Sequence, residues 1–156
     1  MQTMRKLELY IAASLYGYIA GPDEDLDWLD AGSGGLDYGY REFYDSVDTT
    51  LIGNSTYRVA LTADKFPYPD KTNYAFTRKT LPPDTDHVRF VSGDIAAFVR
   101  TLKNETSSDI WLIGGGQTDT VMLNAGLIDE IILTVFPLVL GGGVSMFSVG
   151  DERSLF

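Results

Sequence analysis

The sequence predicts an α/β domain built on a largely parallel sheet. Three observations carry this. Apolar runs of strand length alternate with segments of helical period. The strand–helix–strand spacings are short, which favours parallel pairing through crossovers. Several of the strands also run straight into glycine. With 156 residues, 44% hydrophobic and 22% charged, the composition is that of an ordinary globular chain, and its length suits a single domain over residues 1–156 with a substantial core.

Leu7 to Ala13 reads as the first buried strand, followed by a long loop from Ser14 to Gly35 rich in Gly, Asp and Ala; loops of that length in a compact domain are usually functional or mobile. Tyr40, Phe43, Tyr44 and Val47 then recur at i, i+3, i+4 and i+7, one face of a short amphipathic helix. Thr49 to Ile52 is a β-branched, apolar strand ending at Gly53. Thr72 to Thr77 and Val88 to Val91 are two further strands. Asp94 is placed to cap a helix whose apolar face is Ile95, Phe98, Val99 and Leu102. Ile110 to Ile113 runs into Gly114, Gly115 and Gly116. A helix follows, continuing through Val121 to Ala125, and Gly126 suits its C-terminal cap. Ile131 to Phe136 is a strand, and Pro137 with the Gly141–Gly143 turn leads to a last strand at Val144 to Phe147. The count is about seven strands and three or four helices.

Composition narrows the chemistry. The chain has no cysteine, so disulfides, thiolate metal sites and cysteine nucleophiles are excluded. A single histidine, His87 in a Pro- and Asp-rich turn, is too little for a histidine-based metal site. A formal net charge of -10 argues against nucleic-acid and anionic-membrane partners, which need basic surfaces. It leaves room for an anionic cofactor held by backbone N–H groups and a few local cations. Arg5 and Lys6 ahead of Leu7 to Ala20 imitate a signal peptide, but Glu8, Ser14, Gly17 and three tyrosines interrupt the apolar stretch. A buried strand in a cytoplasmic protein is the expectation, and no run reaches the roughly 20 apolar residues needed to span a membrane.

Three strand ends carry candidate chemistry, each beside a plainer alternative. In Trp111-Leu112-Ile113-Gly114-Gly115-Gly116-Gln117-Thr118, a buried strand ends in three glycines and a helix follows at once. Glycine lets a backbone approach a ligand, and a helix N-terminus offers free N–H groups to a pyrophosphate; the same run can be a plain tight turn, and it matches neither GxGxxG nor a P-loop. In Gly53-Asn54-Ser55-Thr56-Tyr57, small polar residues follow a strand, and Ser55 or Thr56 can equally cap the next helix. Thr77-Arg78-Lys79-Thr80 gathers two cations and two hydroxyls, a phosphate candidate or a solvated turn. All three lie at the carboxyl ends of strands, where open α/β sheets bind ligands.

Taken in order, these blocks resemble a known family. Leu9 to Leu15, Gly17 to Ala20 and Asp25 to Leu29 look like the opening of bacterial proteins related to dihydrofolate reductase and to the reductase domain of the riboflavin-pathway enzyme RibD. Val47-Asp48, Gly53 to Tyr57, Phe76 to Lys79, Ile113 to Gln117, Leu127 to Glu130 and Pro137 to Gly143 are similar to its later blocks. The resemblance implies a dihydrofolate-reductase-like three-layer fold: a mixed, mostly parallel central sheet, an antiparallel C-terminal edge and helices on both faces. It implies NADPH. Gly114, Gly115, Gly116 and Gln117 would approach the pyrophosphate, with a cis peptide in the glycine run, and the flanking Ile113 and Thr118 would belong to the cofactor site. Asn54, Ser55 and Thr56, after Gly53, would lie by the phosphates, and Thr77, Arg78 and Lys79 by the adenosine 2′-phosphate. Ala12, Ala13, Ile19 and Ala20 would flank the nicotinamide.

The chain departs from the family pattern in three places. Asn54 stands where relatives usually have Arg, which removes a fork of donors and leaves the choice of NADPH over NADH open. Tyr16 stands where they commonly have Asp. Relatives continue past the position of Phe156 with another strand or two, so the last strand pairing is in question. Asp37 precedes Gly53 by sixteen positions, the spacing of the substrate-binding acid in dihydrofolate reductases; an N-cap role for Asp37 is the alternative. The resemblance implies an NADPH-dependent reductase like the 5-amino-6-(5-phosphoribosylamino)uracil reductase, acting on a small heterocyclic or carbonyl substrate, and a homodimer. A dihydrofolate reductase proper and a nucleotide-binding protein without turnover remain as alternatives.

Overall fold

The computed structural model describes residues 3–148, apart from the side chains of 31–33. The elements in chain order are β1 (Leu7–Ala13), β2 (Tyr18–Ala20), α1 (Asp27–Ser33), α2 (Tyr40–Ser46), β3 (Val47–Gly53), α3 (Asn54–Ala60), β4 (Thr72–Phe76), β5 (Val88–Val91), α4 (Ile95–Lys103), β6 (Asp109–Gly114), α5 (Gly116–Asn124), β7 (Glu130–Val135) and β8 (Val144–Ser145). Six strands form one sheet in the order β5-β4-β3-β6-β1-β7, and every pairing in it is parallel. Interior strands of such a sheet are covered on both faces, which is why Leu7–Ala13 and residues 110–113 read as near-continuous apolar runs. The antiparallel pairing expected at the C-terminal edge of this sheet appears instead as a separate two-stranded unit, β2 with β8.

The strand order reverses direction at one place. From β3 the chain moves outward through β4 to β5; from β6 it moves the opposite way to β7. Right-handed crossovers then put the connecting helices on opposite faces. The packing agrees. Val99 and Leu102 of α4 and Met122 of α5 pack with Leu7, Leu9, Leu51, Ile110 and Leu112. Phe43 of α2 packs on the other face with Val47 and Trp111, joined by Tyr10, Tyr68 and Ile113. Tyr10 stacks on Phe43 at 4.3 Å, and Trp111 meets Phe43 edge-on at 5.5 Å.

Two helix ends match their sequence signals. The Asp94 carboxylate accepts the Ala97 N–H at 2.9 Å. Gly126, at φ +65°, donates its N–H to Leu123 O at 2.9 Å while Leu127 donates to Met122 O at 3.0 Å, the paired bonds of a Schellman motif. Other expectations need correction. The segment from Ser14 to Gly35 is not one loop: it contains β2 and α1, and α1 is recruited by tertiary packing, with Trp28 buried edge-on against Phe136 at 5.3 Å. Neither Ser55 nor Thr56 caps α3; Gly53 holds the N-cap position with no side-chain bond. The last strand is only Val144–Ser145 rather than Val144 to Phe147. The described residues thus hold eight strands and five helices.

At the amino ends of the strands, Arg5 is a buried hub, 3% exposed. Its guanidinium donates to Ser108 O at 2.5 Å, Asp48 Oδ1 at 2.5 Å, Thr49 Oγ1 at 2.6 Å and Leu102 O at 3.4 Å. Burial works against the Asp48 carboxylate, but hydrogen bonds from Ser107, Thr49 and the Ser108 N–H, together with Arg5, hold it below the usual range. Arg5 therefore ties β3 to the α4–β6 connection on the side of the sheet away from the glycine turn.

Candidate functional site

The point where the strand order reverses lies between β3 and β6, and the glycine-rich strand ends meet there. Gly53 ends β3 and Gly114 ends β6. A Cβ on Gly53 would come within 2.8 Å of Thr118 Oγ1 and 3.0 Å of both Gly114 O and Gly115 N. Only glycine lets the two strand ends close to this separation. Gly114 sits at φ +103°, and the Gly114–Gly115 peptide is cis. A Cβ on Gly116 would collide with the backbone oxygen of Ser145 in β8. Gly115 differs from these neighbours. Its backbone is extended (φ -89°, ψ -158°), and a Cβ there would find only Thr56 Oγ1 at 3.5 Å and Ile19 Cδ1 at 3.9 Å. Gly53, Gly114 and Gly116 are therefore glycines for packing, whereas Gly115 is partly exposed, and a Cβ there would make only ordinary contacts with α3 and β2. Helix α5 starts immediately, with no side-chain cap on its first turn. Its leading N–H groups and positive dipole end remain for an anion.

The other sequence-derived candidates fall around this turn. Thr118 is buried against Gly53, Gln117 is exposed, and Ile113 turns away into the aromatic cluster. Asn54 and Ser55 are exposed on the first turn of α3, with Ser55 Oγ accepting from Arg58 at 3.3 Å; Thr56 points toward Gly115. Gly53 pairs in register with Phe76, so Thr77, Arg78 and Lys79 continue from the neighbouring strand. Thr77 Oγ1 accepts the Lys79 N–H at 3.1 Å, which leaves both cationic side chains exposed. On the far side of β6, Ala13 and Ala20 are buried and Ala12 and Ile19 half-buried. This side is clasped by the C-terminal segment: Leu15 donates to Leu138 O at 3.1 Å and Met146 to Gly17 O at 2.9 Å. Asp37 is exposed, and its carboxylate accepts the Arg41 N–H at 3.2 Å, bonding into the start of α2. His87 is exposed, its ring stacked on Phe66 at 5.2 Å.

One residue escaped the sequence reading. Asp119, in the first turn of α5, is fully buried, and neither carboxylate oxygen has a hydrogen-bond partner among the described residues. It lies directly beneath the glycine turn: a Cβ on Gly114 would be 3.1 Å from its Oδ1. Burial alone pushes its carboxyl up to about 8. Between the ordinary carboxylate range and that value the folded chain holds a proton that the unfolded chain has lost. Asp119 thus subtracts stability as pH rises through this window. Asp119→Asn should therefore melt higher than the parent at pH 8, and the two melting curves should converge toward pH 4; equal melting temperatures at pH 8 would rule out a buried, proton-holding carboxyl. The only sequence signal for it was an acid in the turn immediately after the glycines, and that pattern is usually a solvated helix start.

No helix of the described residues is long and apolar enough to cross a membrane. Comparison with known proteins agrees with the architecture. A family model, the RibD C-terminal domain, matches residues 5–155. The uncharacterized protein YwjB of Bacillus subtilis (strain 168) is 44% identical over 92% of this chain and 83% of its own length. A crystal structure of a "Putative riboflavin biosynthesis protein" from Shewanella sp. PV-4 superposes with TM-score 0.83 at 30% identity, covering 95% of this chain and 86% of that one. A diaminohydroxyphosphoribosylaminopyrimidine deaminase/5-amino-6-(5-phosphoribosylamino)uracil reductase from Thermotoga maritima shares the fold, with TM-score 0.70 at 17% identity over 95% of this chain and 50% of that one. By sequence and by fold, the chain belongs to the RibD C-terminal domain family.

Proposed function

We propose that this domain is a cytoplasmic NADPH-dependent reductase that transfers hydride to a small heterocyclic or carbonyl acceptor. The observation that carries the reading is the open side of Gly115. It sits at the reversal point of the sheet, at the start of an uncapped helix, with room for a ligand where a side chain would otherwise be. That is a fitting place for a pyrophosphate. Burial raises the Asp119 carboxyl below it to about 8, which disfavours a negative charge facing the phosphates. Asn54, Ser55 and Thr56 would meet the phosphates from α3, Arg78 and Lys79 the 2′-phosphate, and Ala12, Ala13, Ile19 and Ala20 the nicotinamide. The cofactor supplies the hydride; the protein binds, orients and excludes water. Titration with NADPH tests the proposal: saturable binding with a raised melting temperature is expected, and no response at millimolar NADPH would overturn it.

A nucleotide-binding protein without turnover is the second reading, and the hydrogen bond from the Arg41 N–H to Asp37 at the start of α2 favours it. Asn caps as well as Asp, so on this reading Asp37→Asn should leave folding and NADPH affinity unchanged, with no turnover on any tested acceptor before or after the change. A drop in turnover of about 100-fold at unchanged affinity, the usual scale for a lost general acid, would instead make Asp37 the proton donor.

The proposal includes a homodimer. Strand β7 is an edge of the sheet, and Leu133 (42%), Val135 (51%) and, just beyond it, Val139 (59%) are exposed. Edges this apolar are generally covered. Light scattering should give twice the chain mass, and 17.2 kDa at tens of micromolar would exclude the dimer.

A further inference from the structure

Strand order sorts the charges at the carboxyl end of the sheet. On the β3–β4 side of β6 stand Arg58, Arg78 and Lys79, all exposed. On the β1–β7 side the lining comes from two segments. From Leu7 to Tyr40 there is no Lys, Arg or His, while Asp23, Glu24, Asp25, Asp27, Asp30 and Asp37 are all present. From Ile131 to Ser148 there is no charged residue at all. The two segments are locked together through β2–β8, the Leu15–Leu138 and Gly17–Met146 bonds and the Trp28–Phe136 contact. The exposed side chains they present include Leu15, Tyr16, Leu36, Tyr38 and Val139. The next cation along the chain, Arg41 on α2, is turned to Asp45 at 3.5 Å.

We infer that the acceptor reduced at this site carries no phosphate or other anionic group: it is an uncharged or cationic ring or carbonyl compound that the apolar and aromatic rim can cover. The inference rests on the reductase reading above and narrows it. A phosphate monoester is held by charge-assisted bonds, chiefly from Arg and Lys. Among the described residues the cation that borders the acceptor side is Arg41, whose guanidinium is paired with Asp45, and the acids of that side repel the group. The cofactor, itself strongly anionic, is served by the other half. The acceptor would thus differ in kind from the phosphoribosyl compound named for the Thermotoga maritima protein.

The fluorescence of bound NADPH reads the acceptor side directly, because the reduced nicotinamide faces it. Quenching by iodide, acrylamide and caesium should be compared for free and bound NADPH. Acrylamide and caesium should quench the bound cofactor, while iodide should lose at least about fivefold of its efficiency relative to acrylamide. Tyr16→Lys combined with Asp23→Lys should return iodide toward its free value. An iodide-to-acrylamide ratio equal to that of free NADPH, or one that the two lysines do not change, overturns the inference. In parallel, NADP-loaded protein should be melted with matched pairs such as pyridoxal and pyridoxal 5′-phosphate, or a ribitylaminouracil and its 5′-phosphate. Stabilisation should come only from unphosphorylated members; a larger shift from a phosphorylated member overturns the inference, and if no member shifts the melt, the quenching decides. Failure of NADPH to bind at all is a separate result and removes the reductase reading itself.

Discussion

Gly115→Val should fold with the parent's melting temperature and lose NADPH affinity by about 100-fold or more, the factor expected when two charge-assisted hydrogen bonds from backbone to phosphate are blocked at about 1.5–3 kcal/mol each. The prediction is sharp because its neighbours behave differently. A side chain on Gly53 or Gly116 meets backbone or the Thr118 hydroxyl, so Gly53→Ala and Gly116→Ala should damage the fold itself. At Gly115 the backbone is extended, and the first side-chain atom makes ordinary contacts with Thr56 and Ile19. Paired measurements of melting temperature and NADPH titration separate the outcomes. Normal NADPH binding by a well-folded Gly115→Val protein would move the phosphate site elsewhere.

Arg5→Ala should lower the free energy of unfolding by about 2–3 kcal/mol, the upper part of the range for stranding buried hydrogen-bond partners, and less than for a fully buried ion pair because the Asp48 side chain is 38% exposed. The variant removes the Arg5 donor from Ser108 O and Thr49 Oγ1 and the charge partner from Asp48, while Leu102 O keeps the Glu105 N–H at 3.2 Å. A surface pair a residue away provides the control. Lys6 and Glu130 lie 3.4 Å apart with both side chains about half exposed, and Lys6→Ala should shift the urea midpoint little, because water screens such pairs. Equal midpoint shifts for the two variants would mean that the buried hub does not hold β3 to the α4–β6 connection. NADPH affinity should survive Arg5→Ala wherever the protein remains folded, since Arg5 sits at the amino ends of the strands.

Much of this was legible in the residues. The strands of the parallel sheet announce themselves as apolar runs, and the Asp94 cap and the Gly126 stop are local signals that need no tertiary partner. The glycines at positions 53 and 114–116 pointed to the site, but not to their separate roles. Only the meeting of β3 with β6 shows that Gly53 makes room for Thr118 while a Cβ on Gly115 would meet nothing closer than 3.5 Å. Elements created by distant packing were missed. Strand β2 is three residues long and exists through β8; α1 runs into a glycine-rich stretch of poor helical propensity and is held by Trp28 against Phe136. Asp119 was missed for the opposite reason: an acid after a helix start looks ordinary, and its burial depends on the strand ends closing over it.

The clasp between β2 and β8 also bears on how such a domain can change. The half that carries the proposed phosphate site is assembled from the middle of the chain, β3 through β4 and then β6 with α5. The opposite half, where the proposed nicotinamide and acceptor sites lie, is assembled from segments far apart in chain order, before residue 40 and after residue 130. On the proposed reading, changes in those terminal segments alter the acceptor side while leaving the phosphate side in place, and divergence in substrate between relatives should concentrate before residue 40 and after residue 130.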